Sequence, residues 1–225
     1  HLIKEKDSFV NILRKAVMVA ATGRNLVTIG IKPTHPETGY GYIKYSDLFH
    51  NIDGDEVFKV EAFTEKPDLK KAKRFLEAGT YLWNSGMFIW QISSILENIE
   101  IYMPDLYDSL LRIGQALGTD MADKVICKEF TNMNGVSIDY GIMEKAENIF
   151  VIPGSFGWDD LGSWPALERV KKVDDNGNII VGKHYGIDTC NSIIHSPDKV
   201  VTTIGLKDVV IVDTEDAILI TDKKR

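Results

Sequence analysis

Apolar residues recur along the chain with two different periods, and the change of period marks out the elements. Val10, Leu13, Val17 and Ala20 follow at helical spacing from about Asp7, and Gly23 closes that run. Residues 26–31 form a short β-rich run ended by Pro33, and residues 57–63 alternate as a strand that delivers Thr64, Glu65 and Lys66 to its carboxyl end. Pro67 stops that strand. Residues 68–78 read as a helix with Leu69, Ala72, Phe75 and Leu76 on one face and Gly79 at its end, and residues 81–90 turn β-rich again around an interruption at Asn84-Ser85-Gly86.

From Ser93 to Phe130 the helical period returns. Ile95, Leu96 and Ile99 form one pattern, Pro104 restarts it with Leu106, Leu110, Ile113 and Leu117, and all of these are predicted core. Residues 136–140 lead into a short helix, residues 149–152 form a strand, and Ser163 is placed to cap a helix from about Pro165 to Val170. Beyond Lys172 short apolar runs alternate with Gly, Asp and Asn turns and no helical period survives. A domain boundary near residue 173 follows, with residues 1–173 an α/β domain and residues 174–225 a small all-β unit.

Composition narrows the function. With 33 acidic against 26 basic residues the net charge of −7 repels nucleic-acid phosphate, and no basic stripe offsets it. Cys127 and Cys190 are too far apart for a redox or zinc motif, which fits two reduced thiols in the cytoplasm. No apolar run reaches membrane-spanning length, so no membrane partner is expected. The five histidines show no metal-ligand spacing, and His35 and His195 read as exposed loop residues.

Candidate chemistry gathers where strand-like runs end. Glu65 and Lys66 close one, Asn84 interrupts another, and Asp159 and Asp160 lie in a Gly-Trp-Asp-Asp loop. In an α/β sheet such positions present ligands. Carboxylate, ammonium and carboxamide together suit a ligand with both hydroxyls and a phosphate, and a sugar phosphate is the simplest. Gly39 and Gly41 lack a Cβ, so the backbone there can approach a ligand, although a tight turn explains two such glycines equally. A solvated strand end for Glu65 and Lys66, and a turn role for Asn84, are the competing structural readings. Neighbours in extended chain face opposite ways, so one of Asp159 and Asp160 is expected inward, Asp160, and the other structural. Trp83, Trp90, Trp158 and Trp164 read as core or pocket wall.

Five strings in unbroken order, "GIKPTHPETGYGYI", "FTEKPD", "YLWNSGMFIW", "SIDYGIMEKAENIFVIPGSFGWDDLGSW" and "GLKDVVIVDTEDAILI", resemble the mannose-1-phosphate guanylyltransferase family. The resemblance implies an α/β fold with a Rossmann-like nucleotidyltransferase sheet, flanking helices and a small C-terminal left-handed β-helix, usually paired as a homodimer. It implies GTP and mannose 1-phosphate as substrates, GDP-mannose and pyrophosphate as products, and Mg2+ as cofactor. By matching positions, Gly41 would meet the sugar through its backbone, Glu65 and Asn84 would take sugar hydroxyls, and Lys66 the phosphate. Asp160 would hold the metal, and Asp139 in the "SIDY" segment would reach the mannose.

The family's Gly-rich triphosphate loop and its other metal aspartate have no counterpart in this sequence, which implies an acceptor-binding part of a longer enzyme. A nucleotidyltransferase for another sugar 1-phosphate and a noncatalytic sugar-phosphate-binding or assembly subunit are the alternative readings.

Overall fold

The computed structural model describes every residue but Asp53 and Gly54, with the side chains outside residues 47–55. It divides into two units, one of Ile3–Trp158 and one of Asp159–Arg225 with His1–Leu2. Two short strands, β1 (Leu2–Ile3) and β7 (Trp158–Asp159), fall where the chain passes between the units.

In the larger unit five strands close into a ring in the order β2 (Leu26–Ile31), β5 (Tyr81–Trp90), β3 (Tyr42–Ile52), β4 (Asp55–Thr64) and β6 (Ile149–Gly154). Only the β2–β6 pair is parallel, and a β3–β4 hairpin supplies a strand that the glycines near residue 40 had masked in the sequence. Alternate residues along these strands enter two cores. Val27, Ile29, Tyr42, Trp83, Phe150 and Ile152 pack with helix α1 (Lys6–Ala21), while Leu26, Ile43, Phe63, Leu82, Ile149 and Val151 pack with α3 (Ile92–Tyr102) and a π-helix (Asp139–Met143). A sheet covered on both sides explains why β2 is buried at all six positions.

Helix α1 keeps the expected period and places Leu13 and Ala20 on its packed face as expected, but Val17 falls off that face. Ile12, Ala16, Val19 and Ala20 are buried, whereas Val17 is exposed. The small Ala16 and Ala20 let the helix lie close to the strands, a preference that hydrophobicity alone does not reveal. Helix α2 (Leu69–Ala78) is capped by the Asp68 carboxylate, which accepts the Lys71 N–H at 2.8 Å, and ends on Gly79 in a left-handed conformation. Along α4 (Pro104–Ala116) Leu106 and Leu110 pack on the second core, but Leu96 on α3 and Leu117 just past the end of α4, both predicted as core, are exposed. Helix α5 (Ala122–Asn132) follows. Among the described residues no helix is long and apolar enough to cross a membrane.

In the smaller unit β8 (Ile179–Ile187), β9 (Ile193–Ile204) and β10 (Val209–Asp213) run parallel, and β11 (Ile218–Asp222) closes antiparallel on β10. Their core is Ile179, Ile193, Val210 and Val212, with Trp164 and Leu167 packed against it. Residues 159–172 therefore belong to the compact β-rich unit. The segment Trp164–Arg169 is a 3-10 helix, and the Ser163 side chain makes no capping bond. His195 is a strand residue opposite Val212, half-buried against Trp164, and not an exposed loop residue.

Two outcomes follow from this packing. A Cβ added to Gly30 would come within 2.8 Å of Leu82 and Val151. Gly30→Ala should therefore cost about 1–3 kcal/mol of stability, and an unchanged urea midpoint would contradict that packing. In the smaller unit the Lys199 ammonium, 2.6 Å from the nearly buried Asp213 carboxylate, holds its pKa below the ordinary 3.8, assisted by the Ser196 hydroxyl against the opposing effect of burial. A depressed folded pKa means stability present above the ordinary value and lost as pH falls through the folded one. Lowering pH from about 5 to about 2.5 should thus reduce Tm more in the wild type than in Asp213→Asn, and equal losses would refute this.

Candidate functional site

Strand register assembles the site. Tyr42 is paired on one side with Trp83 and on the other with Thr64. Because β3 runs antiparallel to both neighbours, the residue before Tyr42 lies beside the residues after Trp83 and Thr64. Gly41, Asn84 and Glu65 thereby form one row at the end of the sheet. The Asn84 N–H donates to the Gly41 carbonyl at 2.8 Å, and a Cβ on Gly41 would lie 2.4 Å from Glu65 Oε2 and 3.3 Å from the Asn84 Cβ. Only glycine leaves the Glu65 carboxylate in that position.

Asn84 is aimed by a bulge. Between Gly30 opposite Asn84 and Thr28 opposite Phe88, β5 carries extra residues, including Gly86 at a φ of 70°. The interruption read from Asn84-Ser85-Gly86 is this bulge within one continuous strand. The Ser85 hydroxyl takes the Ile29 carbonyl at 2.6 Å, so the displaced ladder loses no buried bond there. The Gly86 N–H donates to Asn84 Oδ1 at 3.1 Å, which fixes the orientation of the amide. Asn84 Nδ2 then faces outward and donates to Asp139 Oδ1 at 2.9 Å. Asp139 comes from the first turn of the π-helix, a device often found at functional sites.

Lys66 stands at the rim. Pro67, which is buried, follows it, and Lys66 itself adopts a left-handed φ of 42°. Its Nζ lies 3.0 Å from Glu65 Oε1, with the lysine 62% exposed and the glutamate 11%. The hydrogen bond to Glu65, then the Glu65 charge, raise the Lys66 pKa, with smaller contributions from Tyr140 and Asp139. The ammonium is therefore kept charged at neutral pH while remaining open to solvent. Thr28, which sequence reading passed over, is fully buried beneath Asn84. Its hydroxyl reaches the Met87 carbonyl at 3.2 Å and Asn84 Oδ1 at 3.5 Å, and a Thr in the middle of a β-run carries no signal that separates it from ordinary strand composition.

A second group flanks this row. Trp83 is buried and carries the ring edges of His35 at 4.9 Å and Tyr40 at 5.3 Å, so His35 is the loop residue expected but is half-buried.

Asp159 and Asp160 belong to the smaller unit. Arg169 donates to both oxygens of Asp159, at 2.6 and 2.9 Å, and the Leu161 N–H adds a third bond at 3.0 Å. Asp160 Oδ1 lies 3.1 Å from His1 Nε2, and its other oxygen occupies space that a Cβ on Gly162 would fill.

Residues 1–176 match the model of the family described as nucleotidyl transferase, and residues 182–225 match a mannose-phosphate isomerase/GMP-like β-helix domain. The chain belongs to the nucleotidyl transferase family. This nucleotidyl transferase chain is 39% identical, over 98% of its length and 48% of the relative's, to a mannose-1-phosphate guanylyltransferase of Escherichia coli. It is 38% identical, over 100% of its length and 46% of the relative's, to the alginate biosynthesis protein AlgA of Pseudomonas syringae pv. tomato. A crystal structure from Thermus thermophilus, named for a mannose-1-phosphate geranyltransferase, superposes with a TM-score of 0.81 at 31% identity, covering 99% of this chain and 63% of that one. The chain spans about half the length of the curated relatives it matches.

The Gly41 contact gives a direct check. Because the clashing atom ends a flexible side chain, Gly41→Ala should change stability by less than about 1 kcal/mol yet turn the Glu65 carboxylate away. A structure of the variant with Glu65 still in the row beside Asn84 would contradict this.

Proposed function

We propose that this chain binds the acceptor in a mannose-1-phosphate guanylyltransferase, which makes GDP-mannose and pyrophosphate from GTP and mannose 1-phosphate. The observation that carries the reading is the row of Gly41, Glu65 and Asn84, with Asp139 hydrogen-bonded behind it and the charged Lys66 beside it. The printed name of the Escherichia coli relative points the same way. In this reading the Glu65 carboxylate accepts bonds from sugar hydroxyls, and the Asn84 amide and Asp139 extend that polar wall. The backbone at Gly41 lets the sugar approach closely. Lys66, the solvent-exposed member of its pair with Glu65, turns to the sugar's phosphate.

The chemistry asks little more of these residues. One oxygen of the mannose 1-phosphate attacks the α-phosphorus of GTP, a new P–O bond forms, and the bond to the β-phosphate breaks to release pyrophosphate. The attacking phosphate is already anionic near neutral pH, so no general base is required. The protein supplies cationic charge and orientation. Lys66 offsets charge at the acceptor phosphate, while Glu65 and Asn84 hold the sugar so that this oxygen faces the nucleotide.

Mg2+ fits the donor set in one respect. Asp160 offers a hard carboxylate oxygen about one-third exposed, and among the described residues no group of three or more His, Cys, Asp or Glu is gathered to cage a metal. That suits an ion held by one or two carboxylates and otherwise by phosphate oxygens and water. We assign Asp160 as this chain's ligand to it. The same reading takes the protein as a cytoplasmic homodimer with no nucleic-acid or membrane partner, in keeping with its net charge of −7.

The test is calorimetric titration with mannose 1-phosphate and with glucose 1-phosphate, followed by pyrophosphate release from GTP by the full gene product. Mannose 1-phosphate should bind more tightly, and equal or reversed preference would favour a different sugar. Lys66→Ala should weaken mannose 1-phosphate binding by about tenfold to a hundredfold, the worth of one charged hydrogen bond, with the fold intact. In the full gene product Asp160→Ala should abolish magnesium-dependent turnover, and wild-type values in either variant would refute the role given to it.

A further inference from the structure

Residues 34–41 fold over the buried Trp83 and lead into Gly41. Within them Glu37 is held at both ends. Its Oε1 accepts the N–H groups of Thr38 and Gly39, each at 2.9 Å, and its Oε2 lies 3.3 Å from His35 Nε2. Its own carbonyl accepts the hydroxyl of Tyr42 at 3.0 Å. Tyr42 is fully buried and is the residue whose double register creates the row of Gly41, Glu65 and Asn84. His35 is braced in turn by the Thr34 hydroxyl at 3.1 Å and by the ring of Trp83. Burial pushes the Glu37 carboxyl up, but the bonds from Gly39, His35 and Thr38 outweigh it and leave the group below its ordinary value. The carboxylate therefore stays ionised inside the turn.

We propose that Glu37 is a positioning residue for sugar recognition: by holding the amides of residues 38 and 39 it sets the path of the backbone into Gly41, and so the distance of Gly41 from a sugar held by Glu65 and Asn84. Thr38 and Gly39 are themselves solvent-exposed, so no surrounding core fixes their conformation. The carboxylate does that work locally. Tyr40, between Gly39 and Gly41, places its ring edge on Trp83 and transmits the constraint. Glu37 touches no sugar in this scheme. Its effect is on the entropy of the approach, which a loose turn would have to lose on each binding event.

This inference rests on the acceptor-site reading above, and the experiment separates the two. Mannose 1-phosphate is titrated calorimetrically into the wild-type chain and into Glu37→Ala, Glu37→Gln and Glu65→Ala, with amide hydrogen exchange measured at Thr38 and Gly39. Glu37→Gln keeps an oxygen to accept both amides and should bind within about threefold of wild type, whereas Glu37→Ala should bind about tenfold more weakly. Exchange at Thr38 and Gly39 should be slowed in wild type and Glu37→Gln and fast in Glu37→Ala, with the β-strand amides unaffected. Wild-type binding by Glu37→Ala, alongside lost binding in Glu65→Ala, overturns the role of Glu37 alone. Equal weakening in Glu37→Gln and Glu37→Ala also overturns it, because charge and not the grip on the amides would then matter. No binding by the wild type overturns the acceptor-site reading together with this one. Should Glu37→Ala fail to fold, unprotected Thr38 and Gly39 amides in the wild type suffice to overturn it.

Discussion

The double pairing of Tyr42, with Trp83 on one side and Thr64 on the other, is the constraint on which the candidate site depends. Side chains alternate along strands, so a slip of one residue would move Asn84 or Glu65 to the opposite face and bury a carboxylate or an amide in apolar core. That penalty, together with the complete burial of the Tyr42 ring, fixes the register. Three residues far apart in sequence are thus brought into one row by backbone hydrogen bonds, and their side chains need no mutual attraction to meet.

Given the row, the remaining features supply orientation. The bulge at Asn84 turns an ordinary strand amide into one whose oxygen is satisfied by the Gly86 N–H and whose nitrogen faces Asp139. Gly41 leaves room for the Glu65 carboxylate, and Lys66 neutralises it at the rim. In the Lys66–Glu65 pair the lysine is the exposed member and the glutamate is nearly buried. The exposed ammonium is the member placed to turn to a ligand's phosphate, while Glu65 keeps its place in the row.

Much of this was legible in the sequence because it rests on local rules. The strand Leu26–Ile31, the Asp68-capped helix and its Gly79 stop are each written in a few adjacent residues. Gly41, Glu65, Lys66, Asn84 and Asp139 were named from strand ends and from a family resemblance. What escaped depends on contacts between distant segments. The buried stripe of α1 includes Ala16, which fits close to the strands, and the strand Tyr42–Ile52 is specified by its hairpin partner more than by its own alternation. Thr28 and Glu37 acquire meaning only from the atoms they meet, Met87 and Asn84 for one, the amides of Thr38 and Gly39 for the other. His35, a loop residue as read, and His195, a strand residue, are half-buried by aromatic neighbours, Trp83 and Trp164, that are far away in the chain.

The central claim is that register creates a single sugar-phosphate-binding row, and chemical-shift mapping on an isotopically labelled chain tests it most directly. Addition of mannose 1-phosphate should shift the amides of Gly41, Glu65 and Lys66 and the side-chain amide of Asn84 together, along one binding curve, with Asp139 following. Shifts that bypass this row, or that titrate separately among its members, would contradict the account.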